Sequence, residues 1–275
     1  MSLSTEDFTF IADFLRDRSA ISIGPGKEYL VESRLVPLAR SIGIPDLESL
    51  ARELRRPSCA PMVKDRVVEA MTTNETSFFR DIHPFDTLKK QVLPELVERR
   101  KTSQALRIWS AASSTGQELY SIAMMLDAEF PALKSWNLQL HGTDLSRGVI
   151  DRARAGRFSP LEVNRGLPAA MLIRYLTRDG ADYLLSSEIV RRCTFETMNL
   201  ATAWPAQRQF DVIFCRNVLI YFEIDVRMAI LERLRRDLAP GGYLFLGAAE
   251  TSSNPPAGFT AVRLGNTVTY RKDEV

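Results

Sequence analysis

Leu106-Arg-Ile-Trp-Ser-Ala-Ala112 leads without a break into Ser113-Ser-Thr-Gly-Gln-Glu118. The first run reads as a buried strand. The segment from Glu118 to Phe130 then places Leu119, Ile122, Ala123 and Leu126 on one face of a helix. Strand, tight turn and helix in that order form the opening unit of a parallel α/β sheet. The side chains of the turn are small enough for a ligand to reach the backbone, and a helix N-terminus stands directly behind it. The G-x-G-x-x-G spacing of a dinucleotide site is missing, so the turn suits an adenosine cofactor and argues against an NAD-linked oxidoreductase.

The same alternation continues downstream. Asn137-Leu-Gln-Leu-His-Gly-Thr-Asp144 is a second strand, and Ser146 is placed to cap a helix running to about Ala155. With Ser146 supplying the cap, Asp144 at the strand end is the expected acceptor for a ribose diol. Phe210-Asp-Val-Ile-Phe-Cys215 is a further buried strand, which delivers Arg216 and Asn217 to the carboxyl edge of the sheet, where such folds bind ligands. Val226, Ile230, Leu234 and Leu238 mark the next helix. Pro240-Gly-Gly242 is expected to end it ahead of a central strand from Tyr243 to Gly247. Phe259 to Leu264 and Thr267 to Arg271 form a hairpin around Gly265-Asn266. A parallel sheet closed by an antiparallel hairpin is the methyltransferase variation on the Rossmann-like, doubly wound α/β fold. Residues 156–198 interrupt it with a helix near Pro168 to Tyr175 and two or three short strands, which predicts an inserted β-subdomain.

Ahead of the sheet, residues 1–70 carry only helical spacing, in Phe8, Ile11, Ala12 and Leu15 and again in Leu30, Val31, Leu35 and Leu38. Gly43-Ile-Pro-Asp46 closes the second helix and caps a third, Leu47 to Arg55. The joining segment, residues 71–84, combines Asn74, Thr76 and Arg80 with two phenylalanines and reads as a linker or as a lid that contributes to the cofactor site, leaving 85–275 as the sheet domain. With 36 Lys and Arg against 34 Asp and Glu, the formal charge is +2, so nothing global draws the chain to nucleic acid or to an anionic membrane. A charged partner must be met by a local patch. Cys59, Cys193 and Cys215 are odd in number and far apart, which suggests neither a disulfide framework nor a metal site, and a cytoplasmic setting is expected. Met1 to Asp7 lacks the pattern of a secretion signal, and no stretch approaches the ~20 apolar residues of a membrane span. His83, next to Pro84, reads as a loop residue and His141 as a strand residue, and neither belongs to a Ser/His/Asp or Cys/His pattern.

Five blocks in this order resemble the CheR-type chemotaxis receptor methyltransferases: Thr73-Asn-Glu-Thr-Ser-Phe-Phe-Arg80, Trp109-Ser-Ala-Ala-Ser-Ser-Thr-Gly116 with Glu118, Gly142-Thr-Asp144, Asn199-Leu200, and Phe214-Cys-Arg-Asn-Val-Leu-Ile-Tyr-Phe222. The resemblance implies transfer of a methyl group from S-adenosylmethionine to receptor glutamates, with S-adenosylhomocysteine as product. It implies that Asn74, Thr76, Arg80, Glu118, Asp144, Asn199, Leu200, Arg216 and Asn217 contact the cofactor, with Arg80 and Tyr221 nearest the reacting atoms. It also implies that the helical amino-terminal domain grips the cytoplasmic helical domain of a receptor, here through Arg34 and Arg40. A monomer is expected.

The chain departs from the family in three places. Gly116-Gln-Glu-Leu-Tyr-Ser121 replaces the usual Gly-Glu-Glu-Pro-Tyr-Ser, Pro37 and Leu38 interrupt the arginine run of the second helix, and the insert is short around Thr177 to Asp182. The last departure predicts action without a carboxyl-terminal peptide tether on the receptor. An amino-group methyltransferase would carry prolines where this chain has Asn217-Val-Leu-Ile-Tyr221, and its one Asn-Pro-Pro, Asn254 to Pro256, follows a later strand and reads as a loop. A cofactor-binding regulator without transfer activity is the other alternative.

Overall fold

The structure is a computed structural model that describes residues 3–204, 209–251 and 255–274. Its chain divides into two units, one formed by the residues up to Thr73 with Tyr221–Val226, the other by Asn74–Ile220 and the residues from Arg227 onward.

The first unit contains α1 (Thr5–Ser19), α2 (Glu28–Ser41), α3 (Leu47–Arg55) and α4 (Pro61–Met71). Residues three and four apart give each helix one apolar face, and Ile11, Leu15, Val31, Leu35, Leu50 and Val67 are fully buried where those faces meet. Ser4 and Asp46 accept the backbone N–H of Asp7 and Ser49 as side-chain caps of α1 and α3. The segment Tyr221–Val226 joins this unit through Ser22, whose N–H donates to the Tyr221 carbonyl and whose hydroxyl donates to Glu223.

The second unit begins with α5 (His83–Thr87), a π-helical turn at Leu88–Val92 and α6 (Leu93–Arg99). His83 is therefore the first residue of a helix and not a loop residue, because Pro84 in the first turn supplies helical φ at no cost in hydrogen bonds. There follow β1 (Ala105–Ala111), α7 (Gln117–Glu129), β2 (Asn137–Asp144), α8 (Arg147–Ala155), β3 (Arg157–Phe158), α9 (Pro160–Asn164), α10 (Ala169–Tyr175), β4 (Leu176–Asp179), β5 (Asp182–Leu185), α11 (Ser187–Arg192), β6 (Cys193–Thr197), β7 (Phe210–Cys215), α12 (Ile224–Asp237), β8 (Leu238–Leu246), β9 (Phe259–Leu264) and β10 (Thr267–Lys272).

The main sheet runs β6-β2-β1-β7-β8-β10-β9, parallel from β6 to β8 and antiparallel through the closing hairpin. Strand order reverses direction at β1, with β2 on one side and β7 on the other, so the crevice for a ligand lies at the carboxyl ends of these two inner strands. Both faces of the sheet are covered, which is why β7 is buried at every position, its one charged residue, Asp211, being held by Arg100 and the Arg107 N–H. Phe214 and Phe245 stack at 4.5 Å at the centre of this core.

Two further expectations need correction. Pro240-Gly-Gly242 does not separate helix from strand: α12 ends at Asp237, and β8 starts at Leu238 and carries the three residues as a bulge against β7. Leu238 and Ala239 are buried within the strand, and Gly241 takes the left-handed φ of +64° that the bulge requires. The range 156–198 also includes one strand of the main sheet, since β6 pairs with β2 from Cys193↔Leu140 to Thr197↔Asp144. The small antiparallel sheet β3-β5-β4 with α9, α10 and α11 occupies residues 157–192.

Candidate active site

The turn after β1 bends sharply. Ala112, Ser114 and Gly116 all have positive φ, and Gly116 packs so closely on Tyr120, Ala153 and Phe195 that a Cβ there would lie 3.0–3.1 Å from each. Gly142 in β2 is more constrained, since a Cβ would lie 2.6 Å from the Phe195 ring. Two glycines thus let Phe195 fill the space behind the turn.

Asp144 ends β2 and is buried. Its Oδ2 accepts the N–H of Ser114 at 2.8 Å, its Oδ1 accepts the N–H of Ser146 at 3.0 Å, and its carbonyl accepts the N–H of Met198. Ser146 caps α8 by accepting from Val149, as its position in the sequence suggested. The carboxylate is thereby fixed between the β1 turn and the β2 end, with Asn199 and Leu200 one and two residues beyond Met198. The Asn199 side chain accepts the N–H of Ala201, and Leu200 is buried.

Glu118, in the first turn of α7, accepts the Ser110 hydroxyl at 2.8 Å and an Arg216 N–H at 2.9 Å. Arg216 follows β7 and is buried. It also donates to Asp81 at 2.6 Å and to the Arg80 carbonyl at 3.1 Å. One guanidinium therefore ties the start of α7 to the segment 74–82 across the carboxyl ends of β1 and β7. Its Nε, like the Ser113 hydroxyl, is buried without a hydrogen-bond partner among the described residues.

The segment 74–82 belongs to this same unit. The Ser114 hydroxyl donates to the Asn74 carbonyl at 2.9 Å, and the Phe79 N–H donates to the Ser121 hydroxyl at 3.0 Å. Arg80 turns back to donate to the Glu75 carbonyl at 2.8 Å, while Thr76 is half-buried. Phe79, Asp81 and Ile82 all have positive φ, which non-glycine residues hold only where their surroundings impose it. Asn217 sits at a φ of +60° on the opposite side, after β7.

Glu250 belongs to no motif of the sequence. Its carboxylate accepts backbone N–H groups from Asn217 at 2.7 Å, Leu219 at 2.7 Å, Ile220 at 3.3 Å and Gly247 at 2.8 Å, clamping the turn that carries Asn217. The only trace of it in the sequence is an acid three residues after Gly247. No side-chain partner marks such a contact.

The remaining expected residues lie in the first unit. Arg34 donates to the carbonyls of Met71 and Thr72 and to the Thr73 hydroxyl, so its fork holds the chain leaving α4. Arg40 is exposed near the end of α2. Tyr221 groups with this unit and is half-exposed. Of the Asn254 to Pro256 run, Asn254 lies outside the described residues.

Burial pushes the Cys215 thiol well up, with Glu250 and Glu118 adding to the effect, so this residue stays protonated and is no nucleophile. Burial also lowers His141, against a smaller raising effect of Glu196, and its ring stacks on Phe210 within the sheet. Among the described residues no cluster of His, Cys, Asp and Glu could hold a metal ion, and no helix is long and apolar enough to cross a membrane.

Comparison with known families matches residues 74–267 to the CheR methyltransferase SAM-binding domain and residues 6–72 to the CheR methyltransferase all-alpha domain. Chemotaxis protein methyltransferase 1 of Pseudomonas aeruginosa is 41% identical over 98% of this chain and 99% of its own length. Chemotaxis protein methyltransferase Cher2 of Pseudomonas putida is 39% identical with the same coverage, and chemotaxis protein methyltransferase 1 of Vibrio cholerae is 34% identical over 98% of both chains. A Rossmann-like sheet with its polar residues gathered at the switch point, preceded by an all-helical unit, is thus matched along nearly its whole length: the chain belongs to the CheR family of S-adenosylmethionine-dependent methyltransferases.

Proposed function

We propose that this chain transfers the methyl group of S-adenosylmethionine to glutamate side chains of a chemotaxis receptor, giving methyl esters. The proposal rests on the gathering of Asp144, the Glu118–Arg216 pair and the segment 74–82 at one sheet edge, inside the stretch that matches the SAM-binding domain.

These residues fit the cofactor. Asp144 is fixed by the backbone amides of Ser114 and Ser146 at the end of β2, where a ribose diol would meet its carboxylate. The orphaned Ser113 hydroxyl and Arg216 Nε are polar groups in want of a partner, and the small side chains of the turn leave its backbone open to approach. Asn74, Thr76, Arg80, Glu118, Asp144, Asn199, Leu200, Arg216 and Asn217 hold the cofactor, Glu118 and Arg216 chiefly by fixing each other and the segment 74–82.

When bound, the cofactor supplies a methyl group already activated on a sulfonium. A glutamate acceptor has an ordinary pKa of about 4.3 and arrives ionised, so the chain has no proton to remove. What the chain contributes is orientation and exclusion of water. Arg80 orients the incoming carboxylate with its guanidinium, and the Tyr221 hydroxyl donates a hydrogen bond near the reacting oxygen. Arg40, exposed on α2, meets the acidic receptor, and Arg34 adds its charge while bracing the exit of α4. The enzyme acts as a cytoplasmic monomer, without a peptide tether on the receptor.

Transfer of labelled methyl to a receptor cytoplasmic fragment tests this assignment. Arg80→Ala and Tyr221→Phe are each expected to lower kcat by about 10² or more through lost positioning. Full turnover in both variants contradicts these two roles.

A further inference from the structure

We infer that the insert, residues 157–192, sets the position of the segment 74–82, with Gly166 and Arg165 as positioning residues for the cofactor site. The inference rests on the proposed function.

The segment 74–82 has no helix or strand of its own. On one side it is held by hydrogen bonds with Ser114, Ser121 and Arg216. On the other side it meets the insert. Phe78 is fully buried and stands edge-on to Phe158 of β3, with ring centroids 5.0 Å apart. Arg165, just after α9, pairs with Glu75. Gly166 at a φ of +92° comes so close to the backbone of Phe78 that a Cβ would lie 2.1 Å from the Phe78 carbonyl oxygen and 3.3 Å from its carbon. A flexible side chain could yield to such a contact, but a carbonyl in a peptide plane can do so only by moving the segment.

The insert is a firm support for this contact because it is anchored to α7. Asp127, buried in the last part of that helix, accepts the Tyr175 hydroxyl at 2.7 Å and pairs with Arg174 at 3.1 Å and Arg192 at 3.3 Å. Asn74, Thr76 and Arg80 of the segment thus take their positions from a subdomain that supplies none of the expected cofactor contacts.

The test compares Gly166→Ala with Gly180→Asn, a control in the β4–β5 turn at a φ of +64° where no atom lies within 4 Å of a Cβ. Affinity for S-adenosylhomocysteine is measured by calorimetry, and hydrogen exchange at the Phe79 amide is measured without ligand. Gly166→Ala is expected to weaken binding by about tenfold or more and to speed exchange at Phe79, while Gly180→Asn changes neither. Arg165→Ala, which removes a surface pair and leaves the fold intact, should act in the same direction by about two- to fivefold and serves if Gly166→Ala fails to fold. A folded Gly166→Ala or Arg165→Ala protein with wild-type affinity and exchange overturns the inference, as does faster exchange with unchanged affinity. A wild-type protein that binds no S-adenosylhomocysteine refutes the proposed function instead, and the exchange result still reports on the insert.

Discussion

Asp144 accepts a backbone amide on each oxygen, so its replacement by Ala strands the amides of Ser114 and Ser146 and removes the expected ribose acceptor. Hydrogen bonds to a charged acceptor are each worth about 1.5–3 kcal/mol, which predicts at least a tenfold loss of S-adenosylhomocysteine affinity in Asp144→Ala by calorimetry. Glu118→Ala strips one partner from Arg216, whose side chain is 2% exposed. The cost in a urea titration is expected at the lower end of the ~3–5 kcal/mol for breaking a buried pair, because Asp81 remains. Asp144 was singled out by its place at a strand end, and Glu118 by the family resemblance alone. Glu250 was not, because all four of its partners are backbone N–H groups of residues whose side chains say nothing of it. Its replacement by Gln, which offers one acceptor and one amide group to these donors, is expected to lower stability by about 1–3 kcal/mol and to lower kcat with it.

Among the elements, the anchor of the insert on α7 at Asp127 carries a pH dependence. Burial alone would raise its carboxyl, but the hydrogen bonds from Tyr175 and Lys134 and the charges of Lys134 and Arg192 outweigh burial and hold it below the usual carboxylate range. With the folded value below an unfolded value of about 3.9, the stabilisation is fully present above that pH and is lost as pH falls through the folded value. Asp127→Asn should therefore lower Tm at pH 7, with the gap to wild type closing below about pH 4 in thermal scans. This anchor escaped the sequence because Asp127 and Tyr175 stand far apart in the chain. That β6 belongs to the main sheet escaped for a related reason: Cys193 to Glu196 alternates buried and exposed like any half-covered strand, and only its pairing with Leu140 to Asp144 says which sheet it joins. The bulge at Pro240-Gly-Gly242 was misread because the same residues that stop a helix also bend a strand. The strands Leu106 to Ala111 and Phe210 to Cys215 were legible because burial on both faces leaves them mostly apolar, broken only by Arg107, Ser110 and Asp211.

For the molecule as a whole, a formal charge of +2 offers no global attraction to an acidic partner, so the proposed receptor contact rests on single exposed residues such as Arg40. Arg40→Glu is expected to raise KM for the receptor fragment several-fold at low salt, to leave affinity for S-adenosylhomocysteine unchanged, and to lose much of its effect at about 0.5 M salt. The proposed chemistry stands on a carboxylate receiving the methyl group, with geometry supplied by the sheet edge and no base. It is checked by incubating the protein with methyl-labelled S-adenosylmethionine and a receptor cytoplasmic fragment, then exposing the product to mild base. Label released as methanol is the expected result, and label that stays on the fragment through base treatment would rule out a carboxylate acceptor.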